Sequence, residues 1–370
     1  MIVSGRLWRA ESSDFAQGWL AVEQGRIAAS GWGEAGEPAA ISPSGLIAPG
    51  FVDVHSHGGA GAAFTEGARA ARTVLDAHRR QGTTTMSASL VSADLDEIVA
   101  QVEALAPLVA SGELAGVHLE GPWISPQRKG AHDLGKLAAP TPAAVDRVLA
   151  LAPGLVRMVT IAPELDCAEQ AIRRLSAAGI VVALGHTAAD YACFRSGFDT
   201  GASGVTHLFN AMPDLGKRDP GPVLAAWRDP RAWLELVFDG HHVDARLAAF
   251  CCEQFPERMV LITDAMAAAG MGDGDYTLGG LPVRVSGGVA RLTSDGAIAG
   301  STITLADALA NAVANGIPLG TAVRLASANP AAYLGLGDVG RLTAGAKADL
   351  VELDESGRVL NPDLARTARS

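Results

Sequence analysis

Between positions 47 and 262 of this 370-residue chain, a short apolar, β-rich run recurs eight times: at 47–54, 83–90, 114–119, 156–161, 180–184, 204–208, 233–238 and 259–262. Most runs are followed by an Ala/Leu-rich stretch of helical length, at 68–81, 95–110, 143–151, 167–178, 189–198, 222–228, 244–254 and 305–314. Strands alternating with helices imply a parallel sheet, because each helix carries the chain back to start the next strand in the same direction. The runs are apolar throughout rather than at every second residue, as strands covered on both faces must be. Eight units predict an α/β protein of the (β/α)8 TIM-barrel type, although the count alone also accommodates an open doubly wound sheet.

The remainder of the chain reads differently. Residues 1–48 hold short β-like segments, among them 19–22 and 26–29, separated by Gly and polar residues. The tail, which includes GRLTAGAKADLVELDESGRVL, is again β-like. A ribbon of two strands is marginal alone, so the tail is expected to complete the sheet that the N-terminus begins. The expected division is 1–48 and 336–370 for the smaller unit and 49–335 for the barrel. A hairpin insertion near 270–298 is expected where the pattern turns Gly-rich and alternating.

A net charge of −11 and a pI near 5.3 exclude a general attraction to nucleic acid or anionic membrane, so an anionic substrate would need a local cluster of positive groups. Cys167, Cys193, Cys251 and Cys252 show no paired spacing, which fits a reducing compartment. The opening residues lack a signal-peptide pattern and no apolar run approaches the roughly 20 residues of a membrane helix. A cytoplasmic protein is expected.

In a barrel, the C-terminal ends of the strands open into one mouth, where the chemistry of such folds sits. The first run ends in Asp53-Val54-His55-Ser56-His57, where strand alternation puts His55 and His57 on one side. The third ends at Glu120, the fifth at His186, the sixth at His207 and the eighth at Asp264. One His at a strand end is more often a hydrogen-bonded structural residue than a ligand, and a lone carboxylate there can be a helix cap. Six such residues at five strand ends form a pattern of metal-ligand types. His78, in a helical stretch, and His118, deeper in its strand, are expected to be structural.

The segments DVHSHGG, HLEGPW, KGAH, GHT, THLFNAM, DGHHV, TDAM and AGS resemble the N-acetylglucosamine-6-phosphate deacetylases of the amidohydrolase superfamily. The resemblance runs from PGFVDVH at Pro49 through NPAAYLGL at Asn329 to GRLTAGAKADLV. It implies a metal-bearing barrel with a small β-sandwich made from both chain ends, and hydrolysis of the acetamide of N-acetylglucosamine 6-phosphate. By motif, Glu120, His186 and His207 would hold a catalytic divalent metal, with His55, His57 and Asp264 available for a second. The implied cofactor is one or two divalent ions per subunit, Zn²⁺ foremost, with Fe²⁺, Co²⁺, Mn²⁺ or Cd²⁺ as alternatives. Many two-metal relatives use a bridging Lys from the fourth strand; VRMVTIAPE has none, and Glu120 can fill that role. Asp264 resembles the catalytic acid/base, and His132 the residue that polarises the acetamide carbonyl. Arg218 resembles the phosphate-binding Arg, while Ala131, His132, Asn210, Ala211, His242, Ile298, Ala299 and Gly300 resemble the remaining substrate contacts. The family implies a homodimer. The segment PDLGK, where relatives often carry a His pair, departs from the pattern. The competing readings are a deacetylase of a related sugar phosphate such as N-acetylgalactosamine 6-phosphate and a non-catalytic scaffold.

Overall fold

The computed structural model describes residues 1–362 and Leu364; the last part of the tail assigned to the smaller unit, residues 363 and 365–370, lies outside the described residues. Eight strands lie side by side in chain order, every neighbouring pair parallel. They are β1 (Phe51–Asp53), β2 (Thr83–Val91), β3 (Gly116–Glu120), β4 (Val156–Ile161), β5 (Val181–Leu184), β6 (Gly204–Val205), β7 (Trp233–Val237) and β8 (Met259–Ile262). The sheet curls into a barrel. Its two ends meet where the Asp264 amide donates to the His55 carbonyl (2.9 Å) and the His57 amide to that of Ala265 (2.7 Å). Beside that seam the Thr263 hydroxyl donates to the buried Asp53 carboxylate at 2.6 Å.

The helices cover the barrel with amphipathic faces. In the first of them, α1 (Ala68–Arg79), the buried residues Ala71, Val74, Leu75 and His78 follow the three-then-four spacing of a helical stripe. The barrel interior is filled by Val52, Met158, Ala183, Val260 and Ile262, and is packed from beneath by Ala331, Tyr333 and Leu334. That floor follows a π-helical segment, Arg324–Ala328, and is pinned by Asn329, whose side-chain amide donates to the carbonyls of Pro256 (2.9 Å) and Met259 (2.7 Å).

Three elements differ from the sequence pattern. The apolar run 47–54, read as one barrel strand, is divided: Leu46–Pro49 belongs to a different sheet and only Phe51–Asp53 to the barrel. Gly50 makes the division possible, because a Cβ there would lie 2.2 Å from the Thr84 hydroxyl. The sixth run is shorter than expected, Gly204–Val205 only, because the chain leaves the extended region at His207, Phe209 and Ala211, whose φ angles are 27°, 78° and 50°. The insertion expected as a hairpin is a three-stranded antiparallel sheet, Gly274–Leu278, Leu281–Ser286 and Val289–Leu292.

Both chain ends build one mixed six-stranded sheet, in the order Val359–Asn361, Leu350–Leu353, Leu46–Pro49, Ile2–Arg9, Asp14–Glu23, Arg26–Trp32. It is joined to the barrel helices by the buried Trp8, whose indole N–H donates to the Gly320 carbonyl at 2.9 Å. Gly320 has no room for a side chain, since a Cβ would stand 1.8 Å from the Ser13 carbonyl oxygen. Replacing Trp8 with Phe should lower unfolding free energy by about 1 kcal/mol, because it removes that hydrogen bond while the Gly320 carbonyl keeps the Arg324 backbone N–H as a donor. Trp8→Ala should cost about 3–5 kcal/mol by leaving a cavity as well. Denaturant unfolding measures both, and an unchanged midpoint in Trp8→Ala would contradict the packing described.

Candidate active site and metal centre

Glu120 ends β3 as a buried carboxylate, and five imidazoles face it. His207 Nε2 and His186 Nε2 lie 3.0 and 3.2 Å from Oε1, and His55 Nε2 lies 3.4 Å from the same oxygen. His57 Nε2 and His132 Nε2 lie 3.1 and 3.2 Å from Oε2. All five rings are buried. Three strand-end residues of this cluster, His186, His207 and Asp264, have positive φ angles of 47°, 27° and 48°. Such backbone costs on the order of 1–3 kcal/mol in a non-glycine residue and is retained mostly where a site needs it.

The second nitrogen of each ring indicates where its proton sits. His55 Nδ1 faces the Glu235 carboxylate at 3.0 Å, His57 Nδ1 the Ser89 carbonyl at 3.2 Å and His186 Nδ1 the Arg128 carbonyl at 2.9 Å. Each partner only accepts, so each of these rings carries its proton on Nδ1 and turns a lone pair at Nε2 toward the mouth. His132 is the opposite case. Its Nδ1 receives the Ser92 backbone N–H at 3.2 Å, beside the Ser92 hydroxyl at 2.8 Å, so the proton of the neutral ring sits on Nε2 and points into the site. Burial, only partly offset by Glu120, lowers His132 to about 4, which keeps it neutral near pH 7. Gly121 serves this arrangement: a Cβ there would meet the Ser92 hydroxyl at 2.0 Å, and its φ of 91° suits glycine alone.

Two groups of atoms that can each give an electron pair to a cation converge here. Glu120 Oε1, His186 Nε2 and His207 Nε2 form a triangle with edges of 3.0, 3.0 and 3.2 Å. His55 Nε2, His57 Nε2 and Asp264 Oδ1 form another, with edges of 3.3, 3.3 and 3.6 Å. Donors about 2.0–2.1 Å from a tetrahedral Zn²⁺ lie about 3.3–3.4 Å apart, so both triangles have the right size for one divalent ion. His132 lies close enough to Glu120 and His186 to be grouped with them as a ligand, but its Nε2–H points the wrong way for that and the role goes better to His207. The Nδ1 of His207 is buried without a hydrogen-bond partner among the described residues.

The local field favours positive charge. Burial pushes Glu120 up, but His55 and hydrogen bonds from His132, His186 and His207 outweigh it and hold the carboxyl well below its usual range. Asp264 is likewise lowered: burial opposes, and His57 and His55 prevail. Burial disfavours the charged form of His57, yet hydrogen bonds to Asp264 and Glu120 raise it to about 9. Where no metal ion sits, protons gather instead.

The cluster floors a cavity of about 460 Å³. Ala131, Asn210, Ala211, His242, Ile298 and Gly300 line it, while Ala299 is buried behind its wall and is not part of the lining. His242 is oriented by Asp239, 2.7 Å from its Nδ1, and its Nε2 is 3.9 Å from Asp264. Arg218 is not brought in: it is exposed in the loop before Gly221 and does not line the cavity. The cationic side chains that do line it are Arg128 and Lys129, the latter paired with Asp295 at 2.9 Å across the rim. His78 and His118 are structural, as expected. His78 bonds the Gly58 carbonyl, and His118 spans the hydroxyls of Ser89 and Thr160.

Sequence reasoning missed Ser92, for which no local signal exists, and Glu235. The latter is fully buried in the apolar strand WLELV, the same kind of oddity that Glu120 presents in its strand. It also missed Glu164, which follows β4 and accepts from the Thr187 hydroxyl (2.5 Å) and the Ala188 amide (2.6 Å), fixing the turn that carries His186.

Known proteins resemble this chain over most of its length. The model of the amidohydrolase family matches residues 46–370. The N-acetylgalactosamine-6-phosphate deacetylase of Escherichia coli O157:H7 is 41% identical over 91% of this chain and 92% of its own. The N-acetylglucosamine-6-phosphate deacetylase of Bos taurus is 36% identical over 84% of this chain and 80% of its own. A solved structure of mutant N-acetyl-D-glucosamine-6-phosphate deacetylase from Mycobacterium smegmatis, in complex with N-acetyl-D-glucosamine 6-phosphate, superposes with a TM-score of 0.93 at 42% identity, covering 97% of this chain and 96% of that one. The match to the family model over most of the chain, together with these relatives, means that this chain belongs to the amidohydrolase family.

Proposed function

We propose that the chain hydrolyses the acetamide of N-acetyl-D-glucosamine 6-phosphate, releasing acetate and D-glucosamine 6-phosphate, as a step in amino-sugar catabolism. The observation that carries this reading is the convergence of buried His nitrogens and carboxylate oxygens, at ligand-to-ligand spacing, beside the inward N–H of His132 and the free-edged carboxylate of Asp264. The names and similarity of the relatives support it.

The first triangle, Glu120 with His186 and His207, is assigned to the catalytic ion, and the second, His55 with His57 and Asp264, to a further one. A divalent cation, Zn²⁺ foremost, supplies a Lewis acid that acidifies water and polarises a carbonyl. Asp264 Oδ takes the proton of the attacking water as its oxygen adds to the acetyl carbon, and returns it to the sugar nitrogen as the C–N bond breaks. His132, neutral and donating through Nε2, holds the carbonyl oxygen as charge builds on it. Ala131, Asn210, Ala211 and His242, with the 298–300 segment, are assigned to the sugar and its phosphate. Arg218 is assigned to the phosphate, for which the guanidinium fork is suited. Its place outside the cavity of one chain is in keeping with a clamp completed across a homodimer. The exposed Leu247 and Phe250, beside Trp227, supply an apolar face for such an assembly, and four unpaired cysteines fit a cytoplasmic setting.

A second reading, N-acetylgalactosamine 6-phosphate as the preferred substrate, is favoured by the 41% identity to the Escherichia coli enzyme of that name. Purified chain with Zn²⁺, Co²⁺, Mn²⁺ or Fe²⁺ should release acetate from the glucosamine compound with the higher kcat/KM of the two, and lose the activity on chelation. A reversed ratio would establish the second reading, and no acetate from either sugar with any metal would sink both.

Asp264→Asn should keep metal at the first triangle and lose about 10²–10⁴ in kcat; unchanged turnover would refute the proton role. His132→Ala should lose about 10²–10³ in kcat, on the order of 3 kcal/mol, with metal content at the first triangle unchanged. A metal loss that accompanies the rate loss would instead make His132 a ligand.

A further inference from the structure

Glu235 has no part in the chemistry above, yet it is a fully buried carboxylate directly beneath the mouth. One oxygen, Oε2, takes the His55 Nδ1–H at 3.0 Å, and the other, Oε1, takes the Tyr333 hydroxyl at 3.2 Å. Tyr333 rises from the floor of the barrel, from the helical segment Asn329–Tyr333, and is itself buried. Its hydroxyl occupies the place of a side chain on β6: a Cβ added to Gly204 would stand 1.8 Å from that oxygen. Three elements thus leave, fill and use one gap. The other ligand rings whose Nδ1 is partnered are held by backbone carbonyls, of Ser89 for His57 and Arg128 for His186. Only His55 is held by a charge.

From this we infer that Glu235, clamped by Tyr333, is a positioning residue for cation binding at the second triangle. It locks the His55 proton on Nδ1, leaves Nε2 as a lone pair, and adds a buried negative charge behind the ligand that a second divalent ion at His55, His57 and Asp264 would balance. Glu235 reaches the first triangle only through the His207 backbone N–H, 3.5 Å from Oε2, and touches none of its ligand atoms, so the effect falls chiefly on the second ion. This inference rests on the metal-bearing reading given above, but not on the identity of the substrate.

The test reads metal rather than turnover. Metal-stripped full-length chain is titrated with Co²⁺, following the d–d absorption and the bound metal per chain. The wild type should take up two ions in two steps. Glu235→Gln, which keeps the shape of the side chain, should bind the first as before and the second about 10–100-fold more weakly. Tyr333→Phe and Gly204→Ala leave the carboxylate in place but remove or displace its clamp, and should weaken the second step in the same direction by a smaller factor. These two variants keep the inference open to refutation should Glu235→Gln not fold, as judged by circular dichroism. A single ion in the wild type, two unaltered steps in the folded variants, or an equal weakening of both steps would each overturn it. A chain that deacetylates neither sugar can still show the selective loss, so failure of the substrate reading and failure of this one are told apart.

Discussion

A buried carboxylate surrounded by five imidazoles is the constraint on which the site depends. An isolated charge at that depth would be expelled or neutralised, so Glu120 can stand there only in company that is positive on average. Each ring contributes by the orientation its outer nitrogen imposes, and these outer partners come from places far apart in the chain: a strand carboxylate, two backbone carbonyls and one amide. Reverse one of them and a lone pair becomes an N–H. The four partners therefore divide a set of chemically identical side chains into electron-pair donors and one hydrogen-bond donor.

The barrel supplies the depth and the convergence. Parallel strands deliver their ends to one rim, and the polar residues follow immediately after the last ladder hydrogen bonds, where β5, β6 and β8 give way to positive-φ residues. Two buried polar groups interrupt the apolar interior below: the column His55, Glu235 and Tyr333, which runs from the mouth to the floor, and His118 with the hydroxyls of Ser89 and Thr160. Buried polar columns of this kind require every member to be satisfied, and here the hydroxyl and the carboxylate complete one another.

How much of this could be read from the chain alone follows from where the signals lie. The eight runs and their helices were legible because burial on both faces leaves an unbroken apolar text. His55, His57, Glu120, His186, His207 and Asp264 were legible because each interrupts that text at its end. Glu235 interrupts it in the middle, where a single carboxylate has no register with the others until β7 is placed beside β6. Ser92 was not legible at all: a hydroxyl after β2 gains meaning only when the absent side chain of Gly121 makes room for it. The division at Gly50 was hidden for the opposite reason, since both halves are apolar and only the crowding against Thr84 separates them. Arg218 could be recognised by its motif, but its motif did not place it in the cavity.

That division ties the timing of the site to the far end of the chain. Leu46–Pro49 lies between Ile2–Arg9 on one side and Leu350–Leu353 on the other, and the chain passes from it through Gly50 directly into β1 and the His55/His57 pair. During synthesis on a ribosome the strand that anchors this pair has one bare edge until nearly the whole polypeptide has emerged. The His55/His57 pair is thus among the last parts of the mouth to be secured, and a chain that stops short of Leu350 would leave the strand leading into it paired on one edge alone.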